Sequence, residues 1–436
     1  MIRIIASTSP GKRVCAAAAR LSTREGMALS VFESSDGGER DEKLIKKVMS
    51  SGHRSLLEHQ SFSFALDGVS VFVEQCLIEF RLSSFTVKSR RYVDFKSAGY
   101  YTPGYLKGEA LELYTSSMNS LFGDYAKLVD MGIPREDARF LLPYCFYSSM
   151  YLTCNARELA HIINAFTTGR LSAYDEIRKV GSELSKAFEG VFPDTLEAPA
   201  LDCRVRAPEK SIETPRVCDQ RVILMGEPRN ADELLRQAVS FSGRFSSDEM
   251  ELLVKDARPR ELECLSYTFL IKNISQSCVT HFARHRIQSP MFESPSAAIS
   301  KNLYVLPESI AADSRALQIY NSAFNRNTQT ARKLMTMGLN PDDLVYLSLS
   351  GNTIDALITM NARELRHFMN LRTCERAQWE IRNAANSMLE ALIASYPGLF
   401  RYYGPSCMTL GRCPEGRLSC GHPKSGAPII PEDRAE

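Results

Sequence analysis

The apolar positions along this chain trace a pattern that is written twice. Ile4-Ile5 precede an alanine-rich run of helical spacing that ends at Ser22, and Val222-Ile223-Leu224 precede a second such run ending at Ser242. Farther on, short apolar stretches predict buried strands over Ser61 to Leu66 and Ser266 to Ile271, because so few residues make a strand more readily than a buried helix. Each stretch is followed by a helix into a polar loop and then by long helices. The expected fold is α/β, or α+β, with helices dominant: two tandem domains, each a small sheet with long helices.

The residues make the duplication explicit. Asn155-Ala156-Arg157-Glu158-Leu159-x-His161 recurs as Asn361-Ala362-Arg363-Glu364-Leu365-x-His367, an offset of 361 minus 155, or 206. Phe62-Ser63-Phe64 pairs with Tyr267-Thr268-Phe269 at 267 minus 62, or 205. Agreement of two distant anchors is the signature of an internal repeat. Near the starts the offset is 242 minus 22, or 220, so the first copy carries about fifteen extra residues, expected in the acidic loop between Glu33 and Glu42. A proline-rich stretch from Phe192 to Val217 without apolar period reads as a linker. The expected boundaries are a first repeat over 1–215 with its linker from about 193, a second over 216–405, and a cysteine-rich tail over 406–436.

Composition narrows the class. A length of 436 residues fits two domains, and 44% apolar residues suffice to build a core in each. A net charge of +2 removes the basic footprint of a protein that coats nucleic acid. No stretch approaches the ~18 apolar residues of a membrane span, and the start lacks the features of a signal peptide; neither nucleic acid nor membrane is an expected partner, and the cytoplasm is the expected compartment. Twelve scattered cysteines are expected to be reduced, nine of them as small buried residues.

Several groups could carry chemistry. Arg284-His285-Arg286 closes the apolar segment from Ile274 to Ala283 and opens an expected loop holding Ser289, Glu293 and Ser294. Two guanidiniums beside an imidazole suit a phosphate or a carbonyl-rich ring, although a solvated basic turn or a set of carboxylate partners uses the same residues. Arg372 lies three turns beyond Asn361 on one helix face, while Asn155 and Asn361 also read as simple helix caps. In the first copy, His53, Ser55 and Glu58 fall within two turns before the buried strand. That spacing suits a hydrogen-bonded turn better than a metal.

Taken together, these motifs resemble the flavin-dependent thymidylate synthases, the ThyX family, whose signature runs Arg-His-Arg-x-x-Ser-x-Asn-Glu-x-Ser-x-Arg-Tyr. The second copy keeps its front as Arg284, His285, Arg286, Ser289 and Ser294, but has Met291 and Phe292 in place of Asn and Glu and Ser296-Ala297 in place of Arg-Tyr. The first copy has Glu79-Phe80-Arg81 at the front and keeps Ser84, Ser89, Arg91 and Tyr92 behind. The family's nucleotide-contacting arginine survives as Arg139 in copy one and is Val345 in copy two; its base-contacting arginine survives as Arg372 in copy two and is Phe166 in copy one. The losses are complementary.

In that family each site is shared between subunits of a homotetramer, so the resemblance implies composite sites in a homodimer that forms a pseudo-tetramer. Arg284 and Arg372, carried over as the catalytic pair, would hold a nucleotide together with Ser89, Arg91 and Arg139, whose arginines grip its phosphate. A reciprocal site of Glu79, Phe80 and Phe166 with Ser296 and Val345 would be dead. By the same carry-over FAD is bound by His53, Ser55, Glu58, His285 and Arg286, with Asn361, Arg363 and His367, or Asn155, Arg157 and His161, completing the set. The implied reaction is methylation of dUMP to dTMP, with methylenetetrahydrofolate and NADPH as co-substrates and no covalent enzyme nucleophile. No cysteine stands in a context that activates a thiolate.

The signature glutamate is missing from copy one, where Val87 stands, and Glu293 lies one position off in copy two. Two alternatives follow from such losses: FAD-dependent modification of another pyrimidine nucleotide, and a non-catalytic nucleotide- or flavin-binding relic with a regulatory role. In the tail, Cys407, Cys413, Cys420 and His422 are a chemically legitimate zinc set, but their spacing departs from paired-ligand motifs; no metal is assigned.

Overall fold

The computed structural model describes residues 1–192, 196, 211–246 and 249–422. Its packing divides the chain into two compact units: Met1–Thr214 with Glu308–Ser350, and Pro215–Pro307 with Gly351–Glu436.

The first unit is built on a four-stranded antiparallel sheet of β1 (Ile2–Ser7), β2 (Ser61–Ser70), β3 (Ser84–Val87) and β4 (Tyr147–Asn155), in the order β1-β2-β4-β3. The expected strand at Ser61 continues four residues beyond Leu66. Phe62, Phe64 and Leu66 point into the core while Ser61 is exposed, the alternation that one buried face imposes. The register slips between Asp67 and Val69, where Gly68 adopts a φ of 67° that a side chain disfavours. That bulge turns the chain into the wholly buried helix Val71–Ile78, whose cap Ser70 accepts from the Val73 N–H. The Glu176 carboxylate ties this cap down, accepting from the Ser70 N–H at 2.9 Å and its hydroxyl at 2.6 Å.

The extra residues of the first copy fold differently from expectation. The supposed acidic loop is split by the helices Ala28–Glu33 and Glu39–Ser50. Glu39, Asp41 and Glu42 occupy the first turn of the second helix, where negative charge favours the helix dipole, and buried Asp41 pairs with Arg20.

A long helix of the second repeat belongs physically to this first unit. Ser314–Thr336 packs against Gly108–Asp130, with Arg326 paired to Asp124 and Lys333 Nζ 3.2 Å from Glu109. The following turn, Pro341–Leu347, is fastened by the Tyr105 hydroxyl donating to Asp343 at 2.7 Å. Repeat in sequence and body in space therefore divide the chain at different places.

The second unit repeats the sheet with β5 (Arg221–Gly226), β6 (Ser266–Ser275), β7 (Gln288–Phe292) and β8 (Thr353–Asn361), in the order β5-β6-β8-β7. Tyr267, Phe269 and Ile271 of β6 pack with Phe282, Ile358, Phe368 and Met388 in its core. Ser275 caps Gln276–Ala283 as Ser70 does its counterpart, and Glu380 accepts from the Ser275 N–H and hydroxyl at 2.6 and 2.5 Å. The segment after Arg286 is not the loop expected: Ser289 lies on β7, opposite Thr359.

Arg216–Val217, at the end of the expected linker, pairs in parallel with Leu303–Tyr304; residues 193–195 and 197–210 of that linker lie outside the described residues. The expectation of nine buried cysteines is corrected. Cys15, Cys76, Cys145, Cys154 and Cys278 are buried, Cys218 and Cys374 are half-buried and Cys264 is exposed, while Cys203 lies outside the described residues. Among the described residues no helix is long and apolar enough to cross a membrane.

Candidate functional site

In the second unit, the Arg-His-Arg tripeptide follows the helix Gln276–Ala283 directly, with Arg284 as its C-cap. Its charge there meets the negative end of the helix dipole. Arg284 and Arg286 are exposed, whereas the intervening His285 is only 3% exposed. Its ring rests 4.8 Å from Phe368, which itself stacks on Phe282 at 5.5 Å.

His285 is gripped at both nitrogens. Arg372 Nε, on the last residue of the helix Ala362–Arg372, donates to its Nε2 at 3.0 Å, and Glu364 Oε1 lies 3.1 Å from its Nδ1. A guanidinium cannot accept, so Nε2 carries no proton and Nδ1 donates to Glu364. Burial foremost, then the Arg372, His367 and Arg284 charges, push the imidazole down to about 2, which keeps it neutral. Burial pushes the Glu364 carboxyl up. Arg372 is tethered a second time, its Nη2 donating to the His281 carbonyl at 3.2 Å.

The other carried-over residues of this unit lie around that core. His367 is exposed, with its ring 5.5 Å from His285. Asn361 is the cap it also resembled: its Oδ1 accepts from the Glu364 N–H at 2.9 Å. Arg363 pairs with Glu263. Glu293, the displaced candidate for the signature glutamate, is held by Lys301 Nζ at 2.6 Å and accepts from the Asp355 N–H at 3.2 Å.

In the first unit the corresponding positions contain no such relay. Phe80 and Phe166 meet edge to face at 6.1 Å where His285 and Arg372 are joined in the second. Glu79 is hydrogen-bonded by Gln75 at 3.1 Å, and burial pushes its carboxyl up.

What the first unit does assemble is an arginine cluster behind β3. Arg91 Nε pairs with Glu136 Oε2 at 2.6 Å, and Arg139 Nε donates to the Glu136 carbonyl at 3.0 Å. Ser89 joins them, its hydroxyl accepting from the Arg91 N–H at 3.3 Å. Arg91 and Arg139 thus meet at Glu136 on the turn Arg135–Ala138, and Ser89 is joined to them through Arg91. Arg139 is buried and Arg91 half-buried. Arg90, between the two signature residues, is buried against Glu74, which also accepts from the Ser148 hydroxyl at 2.5 Å.

His53, Ser55 and Glu58 sit exposed at and before the turn Ser55–His59. Glu58 pairs with Arg157 at 2.5 Å, as Glu263 does with Arg363, and Asn155 caps its helix as Asn361 does. His161 Nδ1 lies 3.5 Å from Glu158.

Sequence reasoning assigned no role to Glu364, Glu136 or the Arg90–Glu74 pair. The recurrence of glutamate at 158 and 364 was a signal for the first; nothing in the spacing of Glu136 marked it. Among the described residues no group of three or more His, Cys, Asp or Glu could hold a metal, so Cys407, Cys413, Cys420 and His422 are not assembled as a site. Burial pushes the Cys15, Cys145 and Cys154 thiols up to about 12 and the Cys76 thiol well above its ordinary range, away from thiolate chemistry.

The model of the Thymidylate synthase complementing protein family matches residues 3–194 and again 212–398. The chain belongs to this family, that of the flavin-dependent thymidylate synthases, which are methyltransferase-type enzymes, and it carries the family's domain twice. Among similar proteins, the flavin-dependent thymidylate synthase of Geobacter sulfurreducens is 38% identical over 37% of this chain and 70% of its own length. That of Pyrococcus abyssi is 32% identical over 45% and 91% respectively. A solved UMP/dUMP methylase, PolB of Streptomyces cacaoi bound with 5-Br dUMP, shares 27% identity over 45% of this chain and 93% of that one, with a TM-score of 0.38.

Proposed function

We propose that this protein catalyses FAD-dependent reductive methylation of dUMP to dTMP, with methylenetetrahydrofolate as carbon donor and NADPH as electron source. Each working site draws Arg284 and Arg372 from the second repeat and Ser89, Arg91 and Arg139 from the first, in a homodimer that forms a pseudo-tetramer. The observation that carries this reading is the distribution of intact machinery. The Glu364–His285–Arg372 chain is complete in one unit, and the Arg91–Glu136–Arg139 cluster is complete in the other. Indiscriminate decay would have struck both.

The donors present fit a flavin dinucleotide, whose diphosphate is anionic and whose ring is rich in carbonyls. Exposed Arg286 and His367 flank neutral His285. His285, Arg286, Asn361, Arg363 and His367, with His53, Ser55 and Glu58, are the residues that would hold it. When bound, the reduced flavin would supply the hydride that brings the transferred one-carbon unit to the methyl level.

The chain's own part is binding and electrostatics. Arg91 and Arg139 offer guanidinium donors to the nucleotide phosphate. Arg372, kept charged and fixed against His285, presents its cation to the pyrimidine, where negative charge grows as the ring is activated. No thiolate is required.

Anaerobic reduction of the purified, flavin-loaded protein followed by dUMP and methylenetetrahydrofolate should yield dTMP. A colourless protein whose spectrum ignores dUMP would instead mark a non-catalytic relic, and turnover of a different pyrimidine nucleotide would move the substrate.

A further inference from the structure

Resting on the functional reading above, we propose that Glu364 is a positioning residue: its carboxylate holds the His285 proton on Nδ1, leaving Nε2 to accept from Arg372 and aim that guanidinium at the nucleotide base.

The argument starts from donors and acceptors. Arg372 can only donate, so the bond from its Nε to His285 Nε2 exists for one neutral tautomer alone. That tautomer places a proton on buried Nδ1, which must be accepted, and Glu364 Oε1 is the acceptor at 3.1 Å. Remove the carboxylate and the buried N–H loses its partner; the ring then gains by shifting its proton to Nε2, which ends the bond that fixes Arg372. With Nε and Nη2 both engaged, the arginine has lost most of its rotamer freedom before any ligand arrives. The Phe282–Phe368 stack holds the imidazole from the apolar side.

The first unit separates this duty from ordinary helix building. Glu158 occupies the same helical position, and its N–H is capped by Asn155 just as that of Glu364 is capped by Asn361. With Phe80 in place of the histidine, the Glu158 carboxylate turns instead to the Leu82 N–H at 3.3 Å and to His161. The structural role of the glutamate is common to both units. The continuation from the glutamate through a buried imidazole to an arginine is found in the second unit, whose helix ends in Arg372.

The test uses the full-length flavin-loaded protein and dUMP affinity, read from the perturbation of the flavin spectrum, alongside the thermal midpoint. Glu364→Gln keeps a carbonyl acceptor for Nδ1–H and should bind dUMP within about threefold of the parent, whereas Glu364→Ala should weaken binding about tenfold, the size of one charge-assisted hydrogen bond. Arg372→Ala should weaken it at least as much, and adding Glu364→Ala to it should cost nothing further, because the glutamate acts through the arginine. Additive losses in the double variant, or equal affinity of the Gln and Ala proteins, would overturn the assignment. A parent protein that neither binds nor converts dUMP would overturn the functional reading and this assignment with it.

Discussion

Two units of the same design differ at a buried contact. In the second unit, Glu364, His285 and Arg372 form a hydrogen-bonded chain beneath the helix end; in the first, Phe80 and Phe166 fill the equivalent space with two rings. An apolar pair satisfies packing without any polar obligation, whereas a buried imidazole demands a partner at each nitrogen. The polar version is the costlier arrangement, and it occurs in the unit to which the proposed function assigns the base-contacting cation.

The sharpest way to break this comparison is to exchange the fates of its two ends. Arg372→Ala should lower kcat/KM for dUMP by about 10²–10³, the scale of a lost electrostatic contact to the reacting ring. Phe166→Leu, chosen to keep the core filled where Phe166 is fully buried, should leave it within about twofold. Equal losses would abolish the asymmetry.

A somewhat smaller effect is expected from the first unit's cluster. Arg91→Ala should raise KM for dUMP by about 10- to 100-fold with kcat nearly intact, as for removal of a phosphate-gripping charge. A fall in kcat alone would place Arg91 elsewhere in the reaction.

Acid should distinguish the units as well. His285 is held in the folded protein far below its ordinary 6.5, at about 2, so the unfolded chain takes up a proton there before the folded one does. Its stabilising contribution is present above pH 6.5 and is lost as pH falls toward 2, by about 1.4 kcal/mol per pH unit. His285→Phe, which copies the first unit, should flatten the unfolding free energy measured by denaturant between pH 6.5 and 4. An unchanged slope would show that the imidazole is charged in the folded state.

The smallest effect is one the units should share. Ser70→Ala and Ser275→Ala each remove a helix cap that also donates to a buried glutamate. Each should cost about 1–2 kcal/mol, and a large disparity in chemical denaturation would show that the two scaffolds have diverged beyond their site residues.

Much of this was legible in the residues. The repeat offset located both sheets' central strands, and the motif Asn-Ala-Arg-Glu announced two capped helices that the structure contains. Arg91 and Arg139, singled out far apart in sequence, both bond to Glu136, and Ser89 accepts from the Arg91 N–H. Glu136 itself was invisible, because an acidic residue in a short turn has no periodicity that marks its partner. The run from Glu33 to Glu42 looked like a loop for its charge, yet Asp41 is buried by pairing with Arg20 and the charge begins a helix. The segment after Arg286 was misread as a loop because β7 is short and carries a proline. The pattern of Ser314–Thr336 shows an apolar face but not whose core it covers, so its membership of the first unit had to be seen.

That membership limits how the chain can be divided. Because Glu308–Ser350 completes the body begun by Met1–Thr214, a scission at the linker would strip the first body of a helix whose partners, Asp124 and Glu109, remain behind. A separately expressed first half would have to recover Glu308–Ser350 from the second half, which would carry it. Covalent fusion supplies that part at the moment of synthesis and fixes the ratio of the unlike copies at one to one, which lets each copy drift from the family pattern without being left alone.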